Sequence, residues 1–141
     1  MKNNGFSLVE LLLTLTLLAI VMTYGYKSFS DSRVTIEAEI DRHFIFKIPV
    51  LLEQIYANKL SYPSHLGEIL DSKNTGFFTP KEYYLLSYQR DTKNNYLLTA
   101  TLNPNKRNSD KVKCAVISIN EAGKLSGFDK AGNAISSLCW K

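Results

Sequence analysis

The chain has 141 residues, is 45% hydrophobic and 21% charged, and carries a net charge of +4. That length suits one small domain with its own core, not two, and the apolar content excludes a disordered chain. No phosphate-cradling glycine loop, nucleophile elbow or set of clustered carboxylates with a histidine is present, so neither an enzyme nor a bound cofactor is expected.

The first element is a polar leader, Met1–Gly5, with one positive charge, followed at once by an apolar run. Leu8 to Tyr26 is 19 residues, and Glu10 is the only charge among them. As a helix, a run of that length rises about 1.5 Å per residue, close to 30 Å, which matches a bilayer core. A carboxylate in such a span costs about 2.5–3.5 kcal/mol on insertion scales, so Glu10 needs a compensating partner. A cleaved secretory signal has an apolar core of about 7–15 residues with a small-residue site after it. Here the run is longer, and the small residue, Gly5, precedes it.

Gly5-Phe6-Ser7-Leu8-Val9-Glu10 resembles the processing motif of type IV prepilins and pseudopilins. The resemblance implies cleavage between Gly5 and Phe6 by a prepilin peptidase on the cytoplasmic side. It implies methylation of the new N-terminal Phe6 and retention of the apolar segment, first as membrane anchor, then as filament core. Glu10 becomes the fifth mature residue. Cleavage exposes a cationic amine at Phe6, and a paired carboxylate is tolerated in an apolar interior where a lone one is very costly. A neighbour's Phe6 amine facing Glu10 would therefore set axial register during assembly. The implied layout is a leader at 1–5, a transmembrane and assembly helix at 6–27, and a globular head at 28–141. The implied partners are other pilin subunits, the prepilin peptidase and the inner membrane. The head would face the periplasm before assembly and the exterior after it.

From Ser28 to about Lys59 the pattern predicts a continued helix. Ile36, Ile40, Phe44, Ile48, Leu51, Leu52 and Ile55 recur at steps of three and four and form the expected buried stripe. Arg33, Glu37, Glu39, Asp41, Arg42, Lys47 and Glu53 form the expected solvated face, and Pro49 predicts a bend near Ile45–Pro49. Joined to the anchor, this helix would be about 80 Å long, with a first half that has no partner in its own chain. Ser61-Tyr62-Pro63-Ser64 ends it, and Asp71–Gly76 reads as loop. Strands are expected at Tyr83–Arg90 and Tyr96–Asn103, joined by a hairpin connection at Asp91–Asn95, then at Cys114–Asn120 and Leu125–Phe128. The fold expected is α+β: a long N-terminal helix packed on a four-stranded antiparallel sheet, the shape the pilin resemblance also implies.

Cys114 and Cys139 would face an oxidising compartment if the chain is processed at Gly5, and there a disulfide persists. The bridge would close a loop of about 26 residues, worth roughly 3.5 kcal/mol in the chain-entropy model. Ser126 to Ser137, rich in small and polar residues, would not hold itself without it. In type IV pilins a C-terminal disulfide bounds an exposed segment, and Cys139-Trp140 resembles minor pilins of the branch that includes DNA-uptake receptors. Two isolated cysteines supply no zinc ligand set. His43 is expected on the helix surface and His65 in a loop. The chain has Lys27 where most type IV pilins have proline, and Ala19 where they have glycine, which favours a minor over a major subunit. The cysteine pair argues against the major pseudopilin of type II secretion, which usually carries a calcium-bound loop and no disulfide.

Charge is uneven. Residues 91–141 hold eight Lys/Arg against four Asp/Glu, whereas residues 28–90 hold seven against eight. Lys106, Arg107, Lys111 and Lys113 are candidate DNA contacts, since basic patches favour polyanions by counterion release and aromatic rings stack on bases. A solubilising loop is the plainer alternative. The expectation is a minor type IV pilin serving pilus assembly, twitching motility, adhesion or DNA uptake. The alternatives are a DNA-binding receptor pilin for natural transformation and a type II secretion pseudopilin.

Overall fold

A computed structural model describes residues 7–70 and 77–140, apart from the side chains of residues 27, 28 and 31. The chain divides into two compact units, Met1–Arg33 and Val34–Lys141. Its elements are a helix α1 (Leu8–Lys59), strands β1 (Phe77–Phe78), β2 (Tyr84–Thr92), β3 (Asn95–Leu102), β4 (Val116–Asn120) and β5 (Leu125–Phe128), and a short helix α2 (Ser136–Cys139). The α+β class is as expected, but the sheet has five strands rather than four. The added strand, β1, is two residues long, too short to show alternation, and it pairs Phe77 with Leu86 and Phe78 with Leu85.

All neighbours are antiparallel, and the order across the sheet is β1-β2-β3-β4-β5. The β2–β3 connection is tighter than the sequence implied, because Thr92 already pairs with Asn95 after a register shift beyond Arg90. β4 begins at Val116, two residues later than expected, since Cys114 is turned into the core rather than into the ladder. The α1 helix ends where Leu60 takes a left-handed conformation (φ 52°) and its N–H donates to Tyr56 O at 2.8 Å. Pro63 follows and bars any continuation.

The buried side of α1 in the head is offset from the expected stripe. Val34, Ala38, Asp41, Ile45, Ile48 and Leu52 are buried, still at steps of three and four. Of the residues expected inside, only Ile48 and Leu52 are buried; Ile36 is 60% exposed and Ile40 42%. Pro49 lies inside the helix. The sheet's inner face, with Tyr84, Leu86, Leu98, Ala100 and Ile117, completes one core with this stripe.

Asp41 explains the offset. It was expected in solvent, but it is fully buried. Its carboxylate accepts from Thr79 Oγ1 at 2.5 Å, from Lys81 N at 2.7 Å and from Tyr83 N at 2.9 Å. These donors all lie on the turn between β1 and β2. A buried carboxylate is tolerated when hydrogen bonds replace its water, and here one helical side chain fixes a whole strand connection. The helix must rotate Asp41 inward to do so, which carries Ile36 and Ile40 outward.

Tyrosines close the other end of the core. Tyr56 stacks on Tyr62 at 4.6 Å between centroids, and Tyr62 meets Tyr96 edge-on at 4.7 Å. Tyr62 donates its hydroxyl to Glu53 at 2.8 Å, and Tyr88 donates to Pro63 O at 2.9 Å. Burial pushes the Tyr96 hydroxyl up to about 12 and raises that of Tyr62 further.

Candidate functional site

Gly5 and Phe6, the expected cleavage and methylation positions, lie outside the described residues. The next residues are described. Ser7 N donates to Glu10 Oε2 at 3.1 Å, and Val9 N donates to Ser7 Oγ at 3.4 Å. Ser7 and Glu10 thus form the serine-to-glutamate spacing of a capping box, which satisfies donors at the start of α1. Sequence reading assigned Glu10 only an assembly partner. The S-x-x-E spacing before an apolar run was the signal for this second role.

Leu8–Tyr26 is long and apolar enough to cross a membrane, and none of it is buried. Its threonines do not oppose that setting. Thr14 Oγ1 donates to Leu11 O at 2.9 Å, Thr16 Oγ1 to Leu13 O at 2.8 Å, and Thr23 Oγ1 to Ala19 O at 2.7 Å. Each hydroxyl proton is consumed inside the helix, as hydrocarbon requires.

In the head, Cys114 and Cys139 form the expected disulfide, with Cα atoms 5.8 Å apart. Both half-cystines are held by their carbonyls: Tyr84 donates its hydroxyl to Cys114 O at 3.0 Å, and Arg42 Nη1 donates to Cys139 O at 3.1 Å. Burial pushes the Tyr84 hydroxyl up to about 12. Arg42 also pairs with Glu39. Gly127 makes room for the bridge, since a Cβ there would stand 2.8 Å from Cys139 Cβ and 2.9 Å from its Sγ. Trp140 packs edge-on against Phe46 at 4.7 Å and donates its indole N–H to Ser126 O at 3.0 Å.

The segment expected to depend on the disulfide alone has supports of its own. Asp129 Oδ1 accepts from Ala131 N at 2.9 Å and Asn133 N at 2.8 Å, and its Oδ2 accepts from Asn133 Nδ2 at 2.8 Å. The bonds from Asn133, chiefly that of its side chain, hold the Asp129 carboxyl below the usual range. Phe128 bridges to Ala134, so the turn folds back on β5.

The four candidate DNA contacts are not equivalent. Lys106 Nζ is 3.7 Å from Glu82 and lies 5.5 Å from the centre of the Tyr83 ring, so it is committed within the head. Arg107 is exposed. Lys111, Lys113 and Arg42 are among the residues lining a cleft of about 280 Å³, together with Val112 and Leu138. His43 and His65 are exposed, near Glu39 and Glu68. Hydrogen bonds from Ser64, with a weaker one from His65, lower the Glu68 carboxyl to about 2. Among the described residues no group of three His, Cys, Asp or Glu could hold a metal ion.

Residues 1–26 match the family described as the prokaryotic N-terminal methylation motif. This is the N-terminal signal of type IV pilin-like and pseudopilin precursors, and the match ends where the apolar run ends. No curated protein matches the chain.

Proposed function

We propose that this chain is a minor type IV pilin, a structural subunit anchored in the inner membrane by its apolar helix and then packed by it into a filament. The observation that carries this reading is the methylation motif at residues 1–26 leading into a helical segment, Leu8–Tyr26, with no buried residue. Such a segment needs an apolar surrounding that its own chain does not supply, and a bilayer followed by a bundle of like helices would supply both in turn. Cleavage after Gly5 would leave the Ser7–Glu10 cap intact and add a cation at Phe6. In a bundle, Glu10 then serves two donors, its own Ser7 N–H and a neighbour's amine. The disulfide favours the pilus over the type II secretion system.

Intact-mass measurement from a strain with an active prepilin peptidase tests the reading. The expected product lacks Met1–Gly5 and carries one methyl group on Phe6. Glu10→Ala should still insert, since removing the charge makes the span more apolar, but should be depleted from sheared filaments. A full-length unmodified chain rejects the pilin role; equal incorporation of Glu10→Ala rejects its part in register.

DNA retention is a second reading, favoured by the meeting of Lys111 and Lys113 on one cleft. Contacts of that kind touch phosphates without reading sequence, so binding should weaken with salt equally for any DNA.

A further inference from the structure

The outer face of the sheet takes no part in the core. Strand register sets Ser87 opposite Thr99, Thr99 opposite Ser118, and Ser118 opposite Ser126. Four hydroxyls therefore stand in one row across β2, β3, β4 and β5, spaced about 4.8 Å apart. Alternation places them opposite to Leu86, Ala100 and Ile117, which face the core. Among the described residues these four hydroxyls make no hydrogen bond within the chain.

A parallel row runs Phe78, Leu85, Thr101, Val116, Phe128, and a third runs Gln89, Leu97, Asn120. Phe78 and Phe128, at the two ends of the second row, are 45% and 37% exposed. None of the residues in the three rows is charged, although 21% of the chain is.

We propose that this face binds a neutral polysaccharide. A sugar ring carries hydroxyls around its rim and C–H bonds on its faces. The sheet offers the matching pair, a row of donor-acceptor hydroxyls beside a row of aromatic and aliphatic side chains. A polyanion would find no cation here and would leave its charges unpaired. A protein partner is poorly served as well. Four strand spacings by five residues cover roughly 300 Å², against about 800 Å² per partner in a stable protein interface. A single extended glycan strand fits that area.

The test uses the full chain, solubilised in a detergent without a sugar headgroup. Affinity electrophoresis through gels containing dextran or soluble starch, and pull-down on cellulose, read the binding. The expected result is retention by at least one of these neutral glucans that persists at high salt, where charge effects are screened. Thr99→Lys and Ser118→Lys put an unpaired cation in the row and should weaken retention about tenfold or more. Ser87→Ala removes one exposed hydroxyl without threatening the fold and should weaken it about threefold, as for one lost hydrogen bond. Absence of retention by all three glucans overturns the proposal, as does retention unaffected by all three substitutions. Self-association that Ser118→Lys abolishes would give the face to a second copy of the chain and overturn it equally.

Discussion

Leu8–Tyr26 and Val34–Leu52 belong to one helix and meet opposite demands. The first is apolar on every side and buries nothing. The second buries one stripe, and that stripe contains a carboxylate while two isoleucines beside it face outward. In the first segment composition alone defines the environment, since only an apolar medium accepts an all-round apolar helix. In the second, hydrophobicity alone does not locate the core. The buried stripe is apolar apart from Asp41, and the three hydrogen bonds that Asp41 accepts decide between that stripe and its neighbour.

The contrast breaks most sharply at Asp41. Asp41→Ala leaves the buried Tyr83 N–H without its acceptor, removes that of the half-buried Lys81 N–H, and leaves the Thr79 hydroxyl only its 3.2 Å bond to Tyr84 O, so the head should lose about 3 kcal/mol. Leu12→Ala, in the anchor, should shift head unfolding by less than about 0.5 kcal/mol. Urea unfolding of the detergent-bound chain, followed by Trp140 fluorescence, measures both. Equal effects would mean that the anchor helps to hold the head together.

A smaller effect sharpens the comparison at the far end of the head. Gly127→Ala forces a methyl against the Cys139 side chain, and overpacking of this kind costs about 1–3 kcal/mol. Midpoints under oxidising conditions should fall accordingly. Under reducing conditions the difference should shrink, because Cys139 is then free to move away. Gly25→Ala, in the anchor, meets no atom within 4 Å and should change neither.

The smallest effect at neutral pH appears only in base. Burial raises the hydroxyls of Tyr84 and Tyr96 to about 12. Between pH 10, their ordinary value, and that raised value, the unfolded chain has released protons that the folded chain still holds. Stability contributed by these groups is therefore complete below pH 10 and is lost as pH rises toward 12. Tyr24 and Tyr26 are exposed and belong to the anchor. Phenolate absorbance during an alkaline titration should show the buried pair ionising only with unfolding.

Much of this architecture was legible in the chain. The apolar span, the antiparallel sheet and β5 to the residue followed from composition, alternation and spacing, and the cysteine pair from the oxidising compartment and C-terminal pattern that the pilin resemblance implies. The helix stripe did not, because an aspartate that satisfies three donors looks like any surface charge until the turn at Thr79–Tyr83 is folded against it. β1 was hidden by its length. The Lys106–Glu82 pair joins residues 24 apart in sequence, so no local pattern announced it. Gly127 fell unremarked within the expected strand Leu125–Phe128, whereas its lack of a side chain is what admits the bridge. The hydroxyl row exists only in the register of four strands, and each strand alone shows one unremarked serine or threonine.

The strict neighbour-to-neighbour order of the sheet has a consequence for the time course of synthesis. Each strand from β2 onward meets a partner made just before it, so the sheet can lengthen strand by strand with short loops and little search. Through that growth the newest strand is always an open edge, the state in which sheets recruit strangers. Cys114 is made 25 residues before Cys139. It therefore has no partner within the chain until Cys139 has been made. A folded β5 and α2 hold Cys139 against Cys114 and so favour their oxidation, whereas in a head stalled at an earlier strand the two cysteines meet only through chance closure of the intervening loop.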